Sequence, residues 1–202
     1  GIKLAGGNGT RMSPLTKAVN KQLLPIYDKP LIFYSLSILM LSKIKDVLII
    51  VNKGQLEQYK KVLPNGKNLG MNISYKEQEK PNGLPEAFLI GEDFIKNDNV
   101  ALILGDNFFY AQNLTSILLE AIKLNKGSQV ILHKVNKPEL YGVATIRKKK
   151  IVSIKEKPKK FISDKAITGL YFFDNKVVKY SKRLKKSKRG ELEITDLLKK
   201  YN

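Results

Sequence analysis

The chain has no cysteine among its 202 residues, which excludes disulfides and thiolate zinc sites. Histidine is nearly absent too. The one copy, His133, lies inside an expected strand and reads as structural. Arginine is scarce: Arg11, Arg147, Arg183 and Arg189 are four of 37 basic residues. Nucleic-acid readers rely on arginine for bidentate base contacts and interleave aromatics. The net charge of +19 therefore reads as a lysine-rich composition spread over solvated faces, with small clusters at 148–150 and 185–188. No apolar run approaches the length of a membrane helix. Gly1-Ile2-Lys3-Leu4-Ala5 lacks the charged region and long apolar stretch of a signal peptide. Together these absences imply a cytoplasmic protein with neither nucleic acid nor membrane as partner.

The apolar fraction of 43% over 202 residues is ordinary for a globular protein and sufficient for a core. A short apolar strand ends at Leu4-Ala5 and is followed by glycines 6, 7 and 9. Leu31–Leu41 has helical spacing. Asp46–Val51 and Val100–Leu104 are continuous apolar runs, as expected of strands buried on both faces. Helices are expected over 55–62, 85–95 and 114–124, and strands over 72–76 and 129–135. This alternation predicts a doubly wound, mostly parallel, Rossmann-like α/β sheet with helices on both faces. After Pro138 the pattern changes to short strands at 141–146, 151–156 and 166–173, then helices at 176–184 and from 193 onward. The expected organisation is one domain, with a core over 1–135 and a smaller β-rich part over 136–202. Lys3 breaks the pattern. An unpaired ammonium inside an apolar strand is costly, so Lys3 either snorkels at a sheet edge or is a local oddity of the sequence.

The loop Leu4-Ala5-Gly6-Gly7-Asn8-Gly9-Thr10-Arg11 fits neither the dinucleotide fingerprint, whose third glycine would fall at Met12, nor a Walker A loop. The shared physics still applies. Glycines let the backbone approach a phosphate chain, and amide hydrogens then face the anion. Arg11 adds a fork matched to phosphate oxygens, and Lys21 a second charge. Asp106 follows the end of a buried strand, the edge at which open α/β sheets bind ligands. A carboxylate there suits Mg²⁺ shared with phosphate, or else an Asx turn or cap.

Two segments carry a family resemblance: Leu4-Ala5-Gly6-Gly7-x-Gly9-Thr10-Arg11-x-x-Pro14-x-Thr16 and Lys21-Gln22-Leu23-Leu24-Pro25-Ile26-Tyr27-Asp28-Lys29-Pro30. So do Leu104-Gly105-Asp106-Asn107, Pro138-Glu139-x-Tyr141-Gly142-Val143, Glu156-Lys157-Pro158, Thr168-Gly169-Leu170-Tyr171 and Arg189-Gly190-Glu191-Leu192-Glu193-Ile194-Thr195-Asp196. From end to end the chain resembles the sugar-nucleotide pyrophosphorylases.

The resemblance implies a nucleotide-diphospho-sugar transferase fold and transfer of a nucleotidyl group from dTTP or UTP to glucose 1-phosphate. It assigns Leu4, Gly6, Gly7, Gly9, Thr10, Arg11 and Gln22 to the nucleotide, with Gln78 and Gly83 in the base-reading loop. Glutamine both gives and accepts hydrogen bonds, as a thymine or uracil edge requires. Without the resemblance, Gln78 reads better as an exposed loop residue. Asn107, Tyr141, Gly142, Glu156, Lys157, Ile167, Thr168 and Tyr171 fall on the sugar-phosphate side. Arg11, Lys21, Asp106 and Lys157 are the implied catalytic set, with Asp106 holding Mg²⁺. A sugar phosphate is already anionic near neutral pH, so no general base is required, and positioning with charge neutralisation suffices.

The family also implies a later segment carrying a second metal-binding aspartate and subunit contacts. This chain is therefore expected to be shortened at its C-terminal end, either an active transferase or an inactive module that binds nucleotide without turnover, and the full-length family to form homo-oligomers. Ser35 stands where the family has proline, and Pro85 where it favours alanine.

Overall fold

The computed structural model describes residues 1–7, 9–148 and 150–201. Asn8 of the glycine loop, Lys149 of the lysine-rich turn and Asn202 of the last expected helix lie outside it, as does the side chain of Arg11. In chain order the elements begin with β1 (Ile2–Leu4), β2 (Pro25–Ile26), β3 (Lys29–Pro30), α1 (Leu31–Leu41), β4 (Asp46–Asn52) and α2 (Leu56–Val62). There follow β5 (Asn72–Gln78), α3 (Glu86–Ile90), α4 (Glu92–Ile95), β6 (Val100–Leu104), α5 (Leu114–Ala121) and β7 (Ser128–Lys134). The last are β8 (Gly142–Arg147), β9 (Lys150–Glu156), β10 (Lys165–Phe173), α6 (Val177–Ser181) and α7 (Ile194–Lys199).

The main sheet has the order β5-β4-β1-β6-β10-β8-β9, with β7 also paired to β10. Its first four strands are parallel. From β10 onward every pairing is antiparallel. The sheet is thus mixed, and the parallel course stops one strand earlier than the β-α alternation implies. β7 follows α5 as a parallel strand would, but it lies antiparallel along β10, a partner that comes more than thirty residues later. A small sheet of β2 and β3 stands apart.

Alternation along each strand splits the core between the two faces. Ile2, Leu48, Ile50 and Leu102 face α3, α6 and α7 through Phe88, Val177 and Leu197. Val47, Ile49, Val51 and Ile103 pack under α1, α2 and α5 through Leu36, Leu39, Tyr59 and Leu118. Each fully buried branched side chain contributes about 1.5–3 kcal/mol of transfer free energy. The helix expected over 85–95 is two helices meeting at Gly91. A Cβ there would stand 2.9 Å from Ile2 Cδ1 and 3.0 Å from the Ala87 carbonyl, so the chain breaks where it crosses the sheet. α1 matches its apolar pattern, whereas α2, α5 and α6 are shorter than theirs by one to four residues, as fraying ends usually are. No helix among the described residues is long and apolar enough to cross a membrane.

Lys3 departs from expectation. β1 lies between β4 and β6, not at an edge, and Lys3 is fully buried between Ile49 and Ile103. Its ammonium does not snorkel. It donates to the Ser35 hydroxyl on α1, itself fully buried. Burial lowers its pKa to about 7, with the negative charge of Asp106 pulling the other way.

Candidate active site

The four parallel strands end along one carboxyl edge, at Leu4, Asn52, Gln78 and Leu104. From β1 the chain builds outward to β4 and β5, then returns to β6 on the other side. Such a reversal opens a crevice between the central strands. A cavity of about 320 Å³ occupies it, lined by Leu4, Gly6, Gly7, Gly9, Thr10, Asn20, Lys21, Gln22 and Asp106 among others. Residues that the sequence spreads over a hundred positions thus share one crevice. Thr10 and the Arg11 backbone lie in a short 3-10 turn entered through a left-handed Gly9 at φ 57°. The side-chain role expected of Arg11 lies outside the described structure.

Lys21 Nζ donates to Asp106 Oδ2 at 2.7 Å, with both side chains partly exposed. A pair so exposed adds little to stability, and both groups face the cavity. Gln22 donates to the Leu4 carbonyl at 3.3 Å, whereas its buried Oε1 has no partner among the described residues. It presses on Gly105, where any Cβ would collide with its amide.

Gln78 is no exposed loop residue. It is buried at the end of β5, and its amide donates to Asn52 Oδ1 at 2.9 Å. Asn52 in turn holds the glycine loop, accepting from Gly7 N and donating to Gly7 O, each at 3.2 Å. Gln78 packs so closely on Gly6 that a Cβ there would meet its side chain. An adjoining cavity of about 190 Å³ is lined by Gly6, Gly7, Gln78, Gly83 and Glu191. Gly83, at φ 110°, lies against the backbone of Leu192, and Leu192 N donates to Asn82 O at 2.7 Å. The segment before α7 therefore closes the pocket beside Gln78.

On the other side of Asp106 a larger cavity of about 750 Å³ is lined by Asn107, Tyr141, Ile167, Thr168 and Tyr171, with His133 and the rings of Phe108 and Tyr110. His133, expected to be structural, is exposed on β7 and faces this space. Pairing of β10 with β7 shifts register between Ile167 and Tyr171. The irregularity brings Gly169 against Asn107, at a point where a Cβ would overlap the Asn107 amide. Thr168 spends its hydroxyl on the Ile131 carbonyl, 2.8 Å away. Tyr171 is buried, which raises its pKa.

Gly142, Glu156 and Lys157 adjoin this cavity through Tyr141 but are not among its lining residues. Gly142 pairs with Glu156 across β8 and β9, and Lys157 N donates to Tyr141 O at 2.9 Å. Burial raises the Glu156 pKa and Glu193 adds to it, while Arg189 and Lys157 oppose. Arg189 binds Glu193 through two bonds of 3.0 and 2.7 Å and stands 3.8 Å from Glu156. Burial works to raise the Glu193 pKa, but Arg189 and Ser187 outweigh it and the net shift is downward.

Sequence reasoning missed Asn52, Asn20 and Arg189 as site residues. Asn20 caps the turn carrying Lys21, accepting from Gln22 N at 2.9 Å, and bonds Gln55 at 2.8 Å. Position gave a signal for Asn52: it ends an apolar strand at the carboxyl edge. The motif around Arg189 was visible, but not its place beside Glu156.

Fold and site together define a class: an open α/β sheet whose carboxyl edge bears a glycine loop, a lysine and a carboxylate, suited to handling phosphorylated substrates. The chain belongs to the nucleotidyl transferase family, whose model matches residues 1–202. It is 50% identical over its whole length to the glucose-1-phosphate thymidylyltransferase of Neisseria meningitidis, covering 70% of that protein. With the enzyme of the same name from Mycolicibacterium smegmatis it shares 47% identity, over 98% of this chain and 68% of the relative. A Bacillus anthracis crystal structure described as a glucose-1-phosphate thymidylyltransferase with sucrose superimposes with a TM-score of 0.90 at 41% identity, over 99% of this chain and 81% of the other. A UDP-glucose pyrophosphorylase complexed with UDP-glucose gives 0.83 at 28% identity, over 98% and 84%.

Proposed function

We propose that this chain transfers the thymidylyl group of dTTP to glucose 1-phosphate, giving dTDP-glucose and pyrophosphate for nucleotide-sugar biosynthesis. The observation that carries the reading is the convergence of the glycine loop, Lys21 and Asp106 on one crevice, in a chain half identical to a named thymidylyltransferase. The triphosphate lies over the loop amides of Gly6, Gly7, Gly9 and Thr10, with Lys21 neutralising it. The pyrimidine enters the pocket at Gln78 and Gly83. The sugar occupies the larger cavity lined by Tyr141, Ile167, Thr168 and Tyr171, with Glu156 taking hydroxyls and Lys157 the incoming phosphate.

A phosphate oxygen of glucose 1-phosphate attacks the α-phosphorus in line. A P–O bond forms, the bond to the bridging oxygen breaks, and pyrophosphate leaves with the electron pair. No proton need move, so the chain's residues act by orientation and charge.

The residues fit Mg²⁺ in a limited way. Among the described residues no group of three or more acidic or imidazole side chains gathers as a metal cage. Asp106 alone offers a carboxylate at the crevice, and Mg²⁺ is commonly held by one or two carboxylates plus substrate phosphate and water. Asp106 would hold it, and when bound it neutralises charge on the transferred and leaving phosphates.

We further propose that the enzyme works on small molecules in the cytoplasm, apart from nucleic acid and membrane, and assembles with copies of itself. UTP is the second reading for the donor, favoured by the fold shared with UDP-glucose pyrophosphorylase. The test is pyrophosphate release with Mg²⁺ and glucose 1-phosphate, with dTTP and UTP run side by side. Faster release from dTTP supports the proposal. Faster release from UTP reassigns the donor, and no release from either overturns the reading for this chain.

A further inference from the structure

Lys3 is a fully buried lysine in an interior strand, three residues before Gly6, and the mechanism above makes no use of it. Ile49 and Ile103 flank it from β4 and β6, and Ser35 faces it from α1. Asp106 is the charged group that acts on it. The lysine ammonium has hydrogens only to give, so Ser35 Oγ must accept from it. The serine hydrogen is then free for a carbonyl, and the two within reach are Ile32 O and Gly105 O, each at 3.2 Å. Gly105 immediately precedes Asp106. A relay therefore runs from the sheet centre, through α1, to the turn that presents the carboxylate.

We propose that Lys3 is a positioning residue for Asp106, acting through Ser35 and the Gly105 carbonyl. An isolated buried charge weakens a fold unless something else requires it. Here the ammonium polarises the serine hydroxyl and strengthens its grip on Gly105. Its positive charge also interacts with that of the Asp106 carboxylate. The turn is held through Ser35 and the Gly105 carbonyl, while Lys21 meets the Asp106 carboxylate at 2.7 Å. This inference rests on the functional reading of Asp106, but part of its test does not.

The experiment compares Lys3→Met, Ser35→Ala and the double variant with wild type. Three readouts are taken: steady-state kinetics with dTTP and glucose 1-phosphate at saturating Mg²⁺, thermal melting, and amide hydrogen exchange of the nucleotide-free protein. Positioning predicts that kcat falls about tenfold in each single variant while the KM for dTTP stays within twofold. The double variant is no slower than the slower single, as expected of groups acting as a unit. Lys3→Met melts no lower than wild type, so lost turnover cannot be ascribed to unfolding. The Gly105 and Asn107 amides, which donate to Leu4 O at 3.0 Å and Leu104 O at 3.3 Å, exchange faster, while those pairing β4 with β5 do not. Wild-type kcat with unchanged exchange at Gly105 and Asn107 in Lys3→Met overturns the proposal, as does faster exchange spread evenly over the sheet. If wild type itself shows no turnover, the functional reading fails, and exchange alone decides the positioning role.

Discussion

Replacing Lys3 by methionine keeps the length of the side chain and removes its charge, and the structure sets both the sign and the size of the result. Burial drops the lysine pKa from 10.5 to about 7. At about 1.4 kcal/mol per unit, this amounts to roughly 5 kcal/mol of penalty on the protonated form. The folded pKa lies below the unfolded one, so between pH 7 and 10.5 the unfolded chain binds the extra proton and wild-type stability rises with pH. Below pH 7 both states are protonated and the penalty is present in full. Methionine escapes it but leaves Ser35 Oγ without a donor, a loss of about 1 kcal/mol. Lys3→Met is therefore expected to be more stable than wild type at pH 6, by roughly 2–4 kcal/mol after allowing for imperfect repacking. For a chain of this size that corresponds to a Tm gain of about 5–10 °C. At pH 9 the advantage shrinks by about 3 kcal/mol. Urea unfolding of both proteins at the two pH values measures it. A variant less stable than wild type at pH 6, or a difference independent of pH, refutes the reasoning.

Three other substitutions probe the crevice. Gly83→Ala meets the Leu192 backbone at a left-handed φ of 110°, so it should cost about 2 kcal/mol or more and weaken dTTP binding, read by urea unfolding and calorimetry. Asn52→Ala cuts the link between the Gly7 backbone and Gln78. It should raise the KM for dTTP several-fold while leaving that for glucose 1-phosphate unchanged in steady-state assays. Glu156→Gln removes a carboxylate whose pKa burial has raised. The raised pKa means the protonated form is favoured on folding, so wild-type stability falls as pH rises through that pKa. The glutamine variant should lack this slope in melting curves while showing a higher KM for glucose 1-phosphate.

Much of the framework was legible because it is locally encoded. The unbroken apolar runs of β4 and β6 can only be strands buried on both faces, and α1 begins and ends as its spacing implies. The glycine loop announces itself by composition. What sequence could not supply was long-range pairing. β10 inserts between β6 and β8 and turns the second half of the sheet antiparallel, an arrangement that no local pattern encodes. For the same reason the sequence offered no account of Lys3, whose partner Ser35 lies 32 positions away on a helix. Asn52 gains its partners only when the sheet brings β5 and the glycine loop to it. Gln78 became a buried, oriented amide only because Asn52 takes one of its hydrogens.

The central claim is that the crevice between β1 and β6 holds a magnesium-bound nucleoside triphosphate. A crystal grown with dTTP and Mg²⁺ tests it most directly. Phosphate density is expected against the amides of Gly6, Gly7, Gly9 and Thr10, with the base beside Gln78 and an ion touching Asp106. Nucleotide bound elsewhere, or an Asp106 carboxylate still paired with Lys21 beside an empty loop, would contradict it.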